Sequence, residues 1–150
     1  MSSEKILIIG ACGQVGTELT EALRSIYGIN NVIASDIKQP NSPFWKEGPF
    51  EQMDVLEQQK VKDLLNKHKP TQIYHLAALL SASAEKNPSL GWRLNMDGLF
   101  YVFDAALTMG VKRVFWPSSI AVFGPHTPRE NTPQHCTMDP NTVYGITKQT

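Results

Sequence analysis

The 150-residue sequence predicts an α/β fold, a doubly wound parallel sheet, and three observations predict it. Short apolar runs alternate with longer segments whose apolar residues recur at helical spacing, as parallel strands joined by crossover helices require. Gly10, Gly13 and Gly16 stand where the first apolar run gives way to the first helical segment. Asp36 closes the second apolar run, twenty residues beyond Gly16.

The elements follow in order. Ile6–Ile9 is a continuous apolar run ending in Gly10, the pattern of a buried strand. Val15, Leu19, Ala22, Leu23 and Ile26 then share one helix face. Residues 31–36 read as a second strand, followed by a loop carrying Pro40, Pro43, Gly48 and Pro49. Residues 50–55 form a short third strand. Residues 56–69 form its helix, apolar at Val61, Leu64 and Leu65 and stopped by Pro70. Residues 72–78 are the fourth strand. Pro88 opens a long helix that carries Trp92, Leu94, Leu99, Val102, Phe103 and Ala106 to a stop at Gly110. Residues 111–116 are the fifth strand, closed by Pro117 and two serines. A further helix starts near Tyr144, and the chain stops at Thr150. A sheet truncated after the fifth strand is therefore expected, with an exposed edge and a helix barely begun: an N-terminal fragment.

Composition narrows the function. Fourteen basic and fourteen acidic residues balance, and no basic block occurs, so no nucleic-acid partner is expected. The first apolar run is too short for a signal peptide or a membrane span, which points to a cytoplasmic protein. Cys12 and Cys136 have no metal-ligand spacing and read as free thiols, and no metal site is expected.

The glycine loop has a chemical reading. Gly10 and Gly13 let the backbone turn tightly and approach a pyrophosphate, Gly16 lets the helix lie close on the sheet, and the helix N-terminus favours the anion. A carboxylate at Asp36 can accept both hydroxyls of an adenosine ribose and would repel a 2′-phosphate. NAD is thus expected over NADP, with Lys38 weighing slightly the other way. The bland alternative is a tight turn with Asp36 capping a loop. Tyr144 and Lys148, four residues apart, share a helix face. An ammonium beside a phenol favours the phenoxide, so the pair can act as a general base toward an alcohol, and a serine after the fifth strand can orient that alcohol. Taken alone, the pair reads sooner as a surface pair on a helix, and downstream of the glycine loop and Asp36 the balance reverses.

The order of glycine loop, Asp36, Asp54-Val55, His75-Leu-Ala-Ala78, Ser119 and Tyr144-x-x-x-Lys148 resembles the extended short-chain dehydrogenase/reductase superfamily, whose fold is Rossmann-like. Within it, four blocks resemble the short-chain type of L-threonine 3-dehydrogenases: Ile9-Gly-Ala-Cys-Gly-Gln-Val-Gly16, His75-Leu-Ala-Ala-Leu-Leu-Ser-Ala82, Leu94-Asn-Met-Asp-Gly-Leu99 and Phe115-Trp-Pro-Ser-Ser-Ile-Ala-Val-Phe-Gly124. The resemblance implies NAD-dependent oxidation of L-threonine to 2-amino-3-ketobutyrate. It makes Tyr144 the base, Lys148 its partner and a holder of the nicotinamide ribose, and Ser119, counted back from Gly124, the serine that orients the hydroxyl. Gly10, Cys12, Gly13, Gln14, Val15, Gly16, Asp36 and Ile37 would hold the cofactor, with Asp54 and Val55 flanking adenine and Leu76, Ala77 and Ala78 lining it. Ser81, with Ser119 and Tyr144, would meet the substrate. Asn95 matches a residue that is structural or part of a proton relay, and Ile9 replaces the usual Thr or Ser before the first glycine. The resemblance also implies a homodimer and a second half with a substrate lobe beyond Thr150. Its alternatives are a nucleotide-sugar epimerase or dehydratase, against which Gln14 and residues 78–81 weigh, and a non-catalytic NAD-binding fragment.

His68, His126 and His135 read as loop histidines, and His75 as a hydrogen-bonded core residue. Trp92, Phe100, Tyr101 and Phe103 suit core packing or a subunit interface. Cys12 is small enough for the glycine loop, and its oxidation would obstruct cofactor entry.

Overall fold

The computed structural model describes residues 4–40 and 43–150. The chain divides into two compact units, Met1–Ala77 with Gly98–Trp116, and Ala78–Asp97 with Pro117–Thr150. The first holds a five-stranded sheet, β1 (Ile6–Ile9), β2 (Val32–Asp36), β3 (Phe50–Gln52), β4 (Gln72–His75) and β5 (Arg113–Phe115), in the order β3-β2-β1-β4-β5 with every pairing parallel. Helices α1 (Gln14–Tyr27), α2 (Gln58–His68) and α5 (Gly98–Thr108) complete this unit. The second holds α3 (Ser81–Lys86), α4 (Pro88–Trp92), a π-helical turn at Arg93–Asp97, a 3₁₀ turn at Ile120–Val122 and α6 (Val143–Gln149).

The central strand β1 is buried at every residue, which is why it reads as an unbroken apolar run rather than an alternating one. Ile6 and Ile8 pack with Ala11, Leu23, Val32, Ala34 and Trp45 in one cluster, while Leu7 and Ile9, equally buried, point to the opposite face. Within this unit α2 and α5 pack on each other.

The strands are shorter than their apolar runs suggest, because the residues after each strand pass into the turns that end the parallel ladder. The fourth strand ends at His75, and Leu76 and Ala77 both donate their N–H groups to the Ile9 carbonyl at 2.8 and 3.0 Å. The third ends at Gln52, and the second helix is closed by Lys69 at φ 48°, in the left-handed region, one residue before Pro70. The long helix expected from Pro88 to Gly110 is divided. Pro88 does open a helix, with Asn87 capping Leu90 N–H at 3.2 Å, but the turn at Arg93–Asp97 is wound wider than an α-helix and buries both Asn95 and Met96.

The segment after Asp36 is more than a loop, although residues 41 and 42 lie outside the described residues. Pro43–Glu47 makes a 3₁₀ turn that buries Trp45 edge-on against Phe44 and Phe50, with ring centroids 5.0 and 5.7 Å apart. Arg24 of α1, 5% exposed, holds this turn by donating to the Phe44 and Pro49 carbonyls at 3.4 and 3.1 Å, with its guanidinium 5.3 Å from the Phe44 ring centre. Burial pulls the guanidinium pKa down, the mark of a cation kept out of water. Losing these bonds takes the Arg24 donor from the Phe44 carbonyl and leaves the Pro49 carbonyl with the Ala34 N–H, so Arg24→Ala is expected to lose about 2 kcal/mol in denaturant unfolding, with Arg24→Met recovering part of it through packing. An unchanged unfolding midpoint in Arg24→Ala would contradict this account.

Candidate functional site

The first unit assembles a cradle at the C-terminal ends of β1, β2 and β4. Gly10 leaves β1 at φ +88°, and a Cβ there would lie 2.6 Å from the Ala77 backbone nitrogen. A Cβ on Gly16 would overlap the Gly10 carbonyl oxygen, so α1 starts closer to the turn than any side chain permits. Gly13, by contrast, is exposed and meets only the Gly10 oxygen, at 3.4 Å. Gln14 and Val15 are exposed at the start of α1, whose first turn has neither a side-chain cap nor an acidic residue. The first-turn N–H groups of a helix have no partner inside it. Anion-binding amides therefore face open space beside a glycine that leaves room for a ligand.

Asp36 closes this cradle from β2. It is 9% exposed, and its two carboxylate oxygens accept the Cys12 N–H at 2.9 Å and the Lys38 N–H at 3.0 Å. Each oxygen keeps a second lone pair for a ribose hydroxyl. Asp36 thus binds the glycine loop to β2 as well as offering the acceptor anticipated from its position. Ile37 is 57% exposed beside it. Burial, with the Asp36 charge next, pushes the Cys12 thiol up to about 11, so it stays protonated and unreactive at neutral pH. Asp54 is half-buried and folds onto its own chain, accepting Leu56 N–H at 2.9 Å, whereas Val55 is buried against Gly98. Leu76 and Ala77 are half-buried in the turn after β4. Open amides, a glycine with space above it and a carboxylate with spare acceptor capacity fit an adenine dinucleotide. Among the described residues no group of three His, Cys, Asp or Glu side chains could hold a metal.

The second unit brings Tyr144, Lys148, Ser118 and Ser119 together. Tyr144 and Lys148 share the face of α6 expected from their spacing, and Lys148 Nζ lies 5.9 Å from the Tyr144 ring centre. The Lys148 ammonium is 5% exposed and donates to the Pro117 carbonyl at 3.1 Å, and burial lowers its pKa to about 8. Ser118 and Ser119 take different parts. Ser118 donates its hydroxyl to the Lys148 carbonyl at 3.2 Å, while Ser119 Oγ accepts the Ala121 N–H at 3.2 Å and so keeps its own proton for a ligand. A Cβ on Gly145 would overlap the Ala121 carbonyl oxygen, which measures how closely α6 lies on the turn that follows Ser119. Ala78 is half-buried, and Ser81 opens α3 and is exposed.

Several residues that hold this arrangement carry no signal of their own in the sequence. Pro117 acts through a backbone carbonyl. Glu85 accepts the Val143 N–H at 2.6 Å, and Thr142 caps Gly145 N–H at 3.0 Å. Only the Thr142 cap, just ahead of a helix, follows a recognisable local pattern. Beyond the site, His75 is buried on β4, and no described helix is long and apolar enough to cross a membrane.

Comparison with known proteins gives this geometry a context. The chain is 48% identical over 147 residues to an uncharacterized epimerase/dehydratase of Staphylococcus aureus, covering 97% of this chain but 45% of that protein. It superimposes on the L-threonine dehydrogenase of Clostridium difficile with a TM-score of 0.92 at 43% identity, covering 98% of this chain and 46% of that one. For the holo form of an L-threonine dehydrogenase of Cupriavidus necator the TM-score is 0.91 at 48% identity, over 97% of this chain and 47% of that one. The chain therefore spans about half the length of the relatives it matches. Their shared fold is the Rossmann-like sheet described above, and the model of the NAD dependent epimerase/dehydratase family matches residues 6–150, so the chain belongs to that family.

Proposed function

We propose that this chain is the NAD-binding part of an L-threonine 3-dehydrogenase, in which the first unit binds NAD and the second supplies the base for oxidation of the threonine hydroxyl to 2-amino-3-ketobutyrate. The observation that carries the reading is the second unit's own set: a phenol, a buried ammonium and a serine that keeps its hydroxyl proton, in a chain closely similar to two threonine dehydrogenases. NAD, when bound, supplies the hydride acceptor at its nicotinamide.

The chain's residues do the rest. Gly13 and the first turn of α1 receive the pyrophosphate, and Asp36 receives the adenosine ribose. Ser119 donates a hydrogen bond to the substrate hydroxyl oxygen and holds it toward Tyr144. The Tyr144 oxygen takes the hydroxyl proton as the carbon–hydrogen bond on the same carbon gives up its hydride. Lys148 places a positive charge beside that oxygen, favouring its deprotonated form before the transfer. A nucleotide-sugar epimerase shares this chemistry, and substrate choice separates the two readings.

Tyr144→Phe is expected to cut the rate of NADH formation from L-threonine by about 10²–10⁴-fold without weakening NAD binding, because only the proton acceptor is removed. A rate within threefold of the parent's would sink the base assignment. Absence of NADH formation from L-threonine, with turnover of a nucleotide-sugar instead, would favour the epimerase. Asp36→Asn should weaken NAD binding by roughly tenfold or more and narrow the preference over NADP, measured by titration calorimetry. Equal affinity in parent and variant would remove Asp36 from the cofactor site.

Lys148 separates function from stability. Its folded pKa lies below that of a free lysine, so between pH 8 and 10.5 the unfolded chain binds more protons and stability rises with pH. Below pH 8 the buried charge costs stability. Lys148→Met is expected to lose activity, to be at least as stable as the parent at pH 7, and to lack the rise across this window. A large fall in its melting temperature at pH 7 would make Lys148 a structural residue.

A further inference from the structure

Residues 123–142 join the 3₁₀ turn after Ser119 to α6, a connection far longer than those usual in compact domains. Without a ladder to hold it, the loop is tied together by the Asp139 carboxylate. Oδ2 accepts the His126 N–H at 3.1 Å and lies 2.6 Å from His126 Nδ1, which carries the proton because a carboxylate can only accept. Oδ1 accepts the Thr127 hydroxyl at 3.2 Å. Thr127, 6% exposed, shares that hydroxyl with the Thr137 carbonyl at 2.7 Å and accepts the Gly124 N–H at 3.1 Å. Burial acts to raise the Asp139 carboxyl, but the bonds from His126 and Thr127 outweigh it and hold the group below the ordinary carboxylate range.

This clasp sits where the loop meets α6. A Cβ on Gly124 would overlap the Asp139 carbonyl oxygen, so the two arms of the loop touch backbone to backbone beside it. The next residue, Pro140, presses on the helix. A Cβ on Gly145 would lie 2.8 Å from the Pro140 Cβ and would also overlap the Ala121 carbonyl oxygen, so Gly145, next to Tyr144, is enclosed between Pro140 and the turn that Ser119 caps. A residue before proline is restricted to extended conformations, which couples the direction of the Asp139 side chain to the place of the Pro140 ring.

We propose that Asp139 is a positioning residue: fastened to His126 and Thr127, it holds Pro140 against α6 and thereby fixes the placement of Tyr144 against the turn that begins at Ser119. This deepens the dehydrogenase reading and rests on it for what the two hydroxyls do. The clasp itself is independent of substrate. Asp139→Ala removes all of its side-chain bonds, whereas His126→Ala removes one bond and a side chain that is 84% exposed, so it costs little packing.

The test uses the Lys148 ammonium of the whole protein as the reporter, because it rides on α6 and donates to the Pro117 carbonyl, two residues before Ser119. Its Nζ group is titrated by NMR and assigned with Lys148→Arg. In Asp139→Ala, and in the same direction in His126→Ala, the midpoint is expected to move up from about 8 by roughly half a unit or more as the ammonium rehydrates. In the NADH assay Asp139→Ala should lose kcat by roughly tenfold while KM for NAD stays within about twofold, since the cofactor cradle lies on other elements. Added to Tyr144→Phe, the same substitution should cost less than about twofold, because the base it places is already gone. Circular dichroism identifies a variant that fails to fold, and His126→Ala then decides. An unmoved Lys148 midpoint in folded Asp139→Ala, or the full tenfold loss on top of Tyr144→Phe, overturns the proposal. If the parent makes no NADH from threonine, the dehydrogenase reading falls and the Lys148 titration still decides the positioning role.

Discussion

The turn from β1 into α1 is closed by contacts that no side chain can enter, and much of the first unit follows from it. Gly10 abuts the backbone of Ala77, Gly16 abuts the Gly10 carbonyl, and the Gly10 and Ala11 N–H groups both reach the Ser35 carbonyl of β2 at 2.9 and 3.0 Å. These approaches bring the ends of β1, β2 and β4 to one point and start α1 there. The open amides and the Asp36 carboxylate are consequences. Asp36 completes the closure by accepting from Cys12, so the carboxylate with spare acceptor capacity also fastens the glycine loop to β2. A single substitution there would disturb packing and binding together.

Most of the sheet was legible because a buried parallel strand leaves a plain mark: Ile6–Ile9 is apolar without interruption, and its glycine follows at once. The glycine loop was legible as well, since Gly10 and Gly16 each answer a close backbone approach. The π-helical turn was not. It turns Asn95 onto both backbone groups of Leu79, sixteen residues earlier, a pairing that residue types do not mark, and helical periodicity from Trp92 to Ala106 looks continuous whether or not one turn is widened. The 3₁₀ turn at Pro43–Glu47 was also hidden, because prolines mark a loop but do not reveal that Trp45 turns into the core. Within the site, the Tyr144 and Lys148 pair follows from spacing and the choice of Ser119 from the family resemblance, whereas Pro117 and Ser118 act on Lys148 through interactions with no residue-type signature.

Two buried cations show how differently the same cost is met. Arg24 spreads its charge over a planar fork, finds two carbonyls and an aromatic face, and holds a turn; its charge is permanent, and its work is done in the folded state alone. Lys148 is a compact ammonium that donates to the Pro117 carbonyl, and its lowered pKa leaves it close to losing its proton. A group so placed is expensive to bury and changes charge near pH 8. Such an expense is understandable where the charge is used in chemistry, and harder to explain where it only supports a turn.

The shortness of α6 makes the same point from the side of the backbone. A long helix would orient Tyr144 and Lys148 by its own hydrogen bonds and would need few outside contacts. With seven residues, the orientation is borrowed from Glu85 and Thr142 at one end, Thr147 and Asn95 along the inner face, and Ser118 at the Lys148 carbonyl. Each lender sits on a different stretch of the second unit, from α3 through the π turn to the loop after β5. The placement of Tyr144 and Lys148 is thus a property of the whole unit rather than of the helix that displays them, and changes several residues away in space can shift both side chains without touching them.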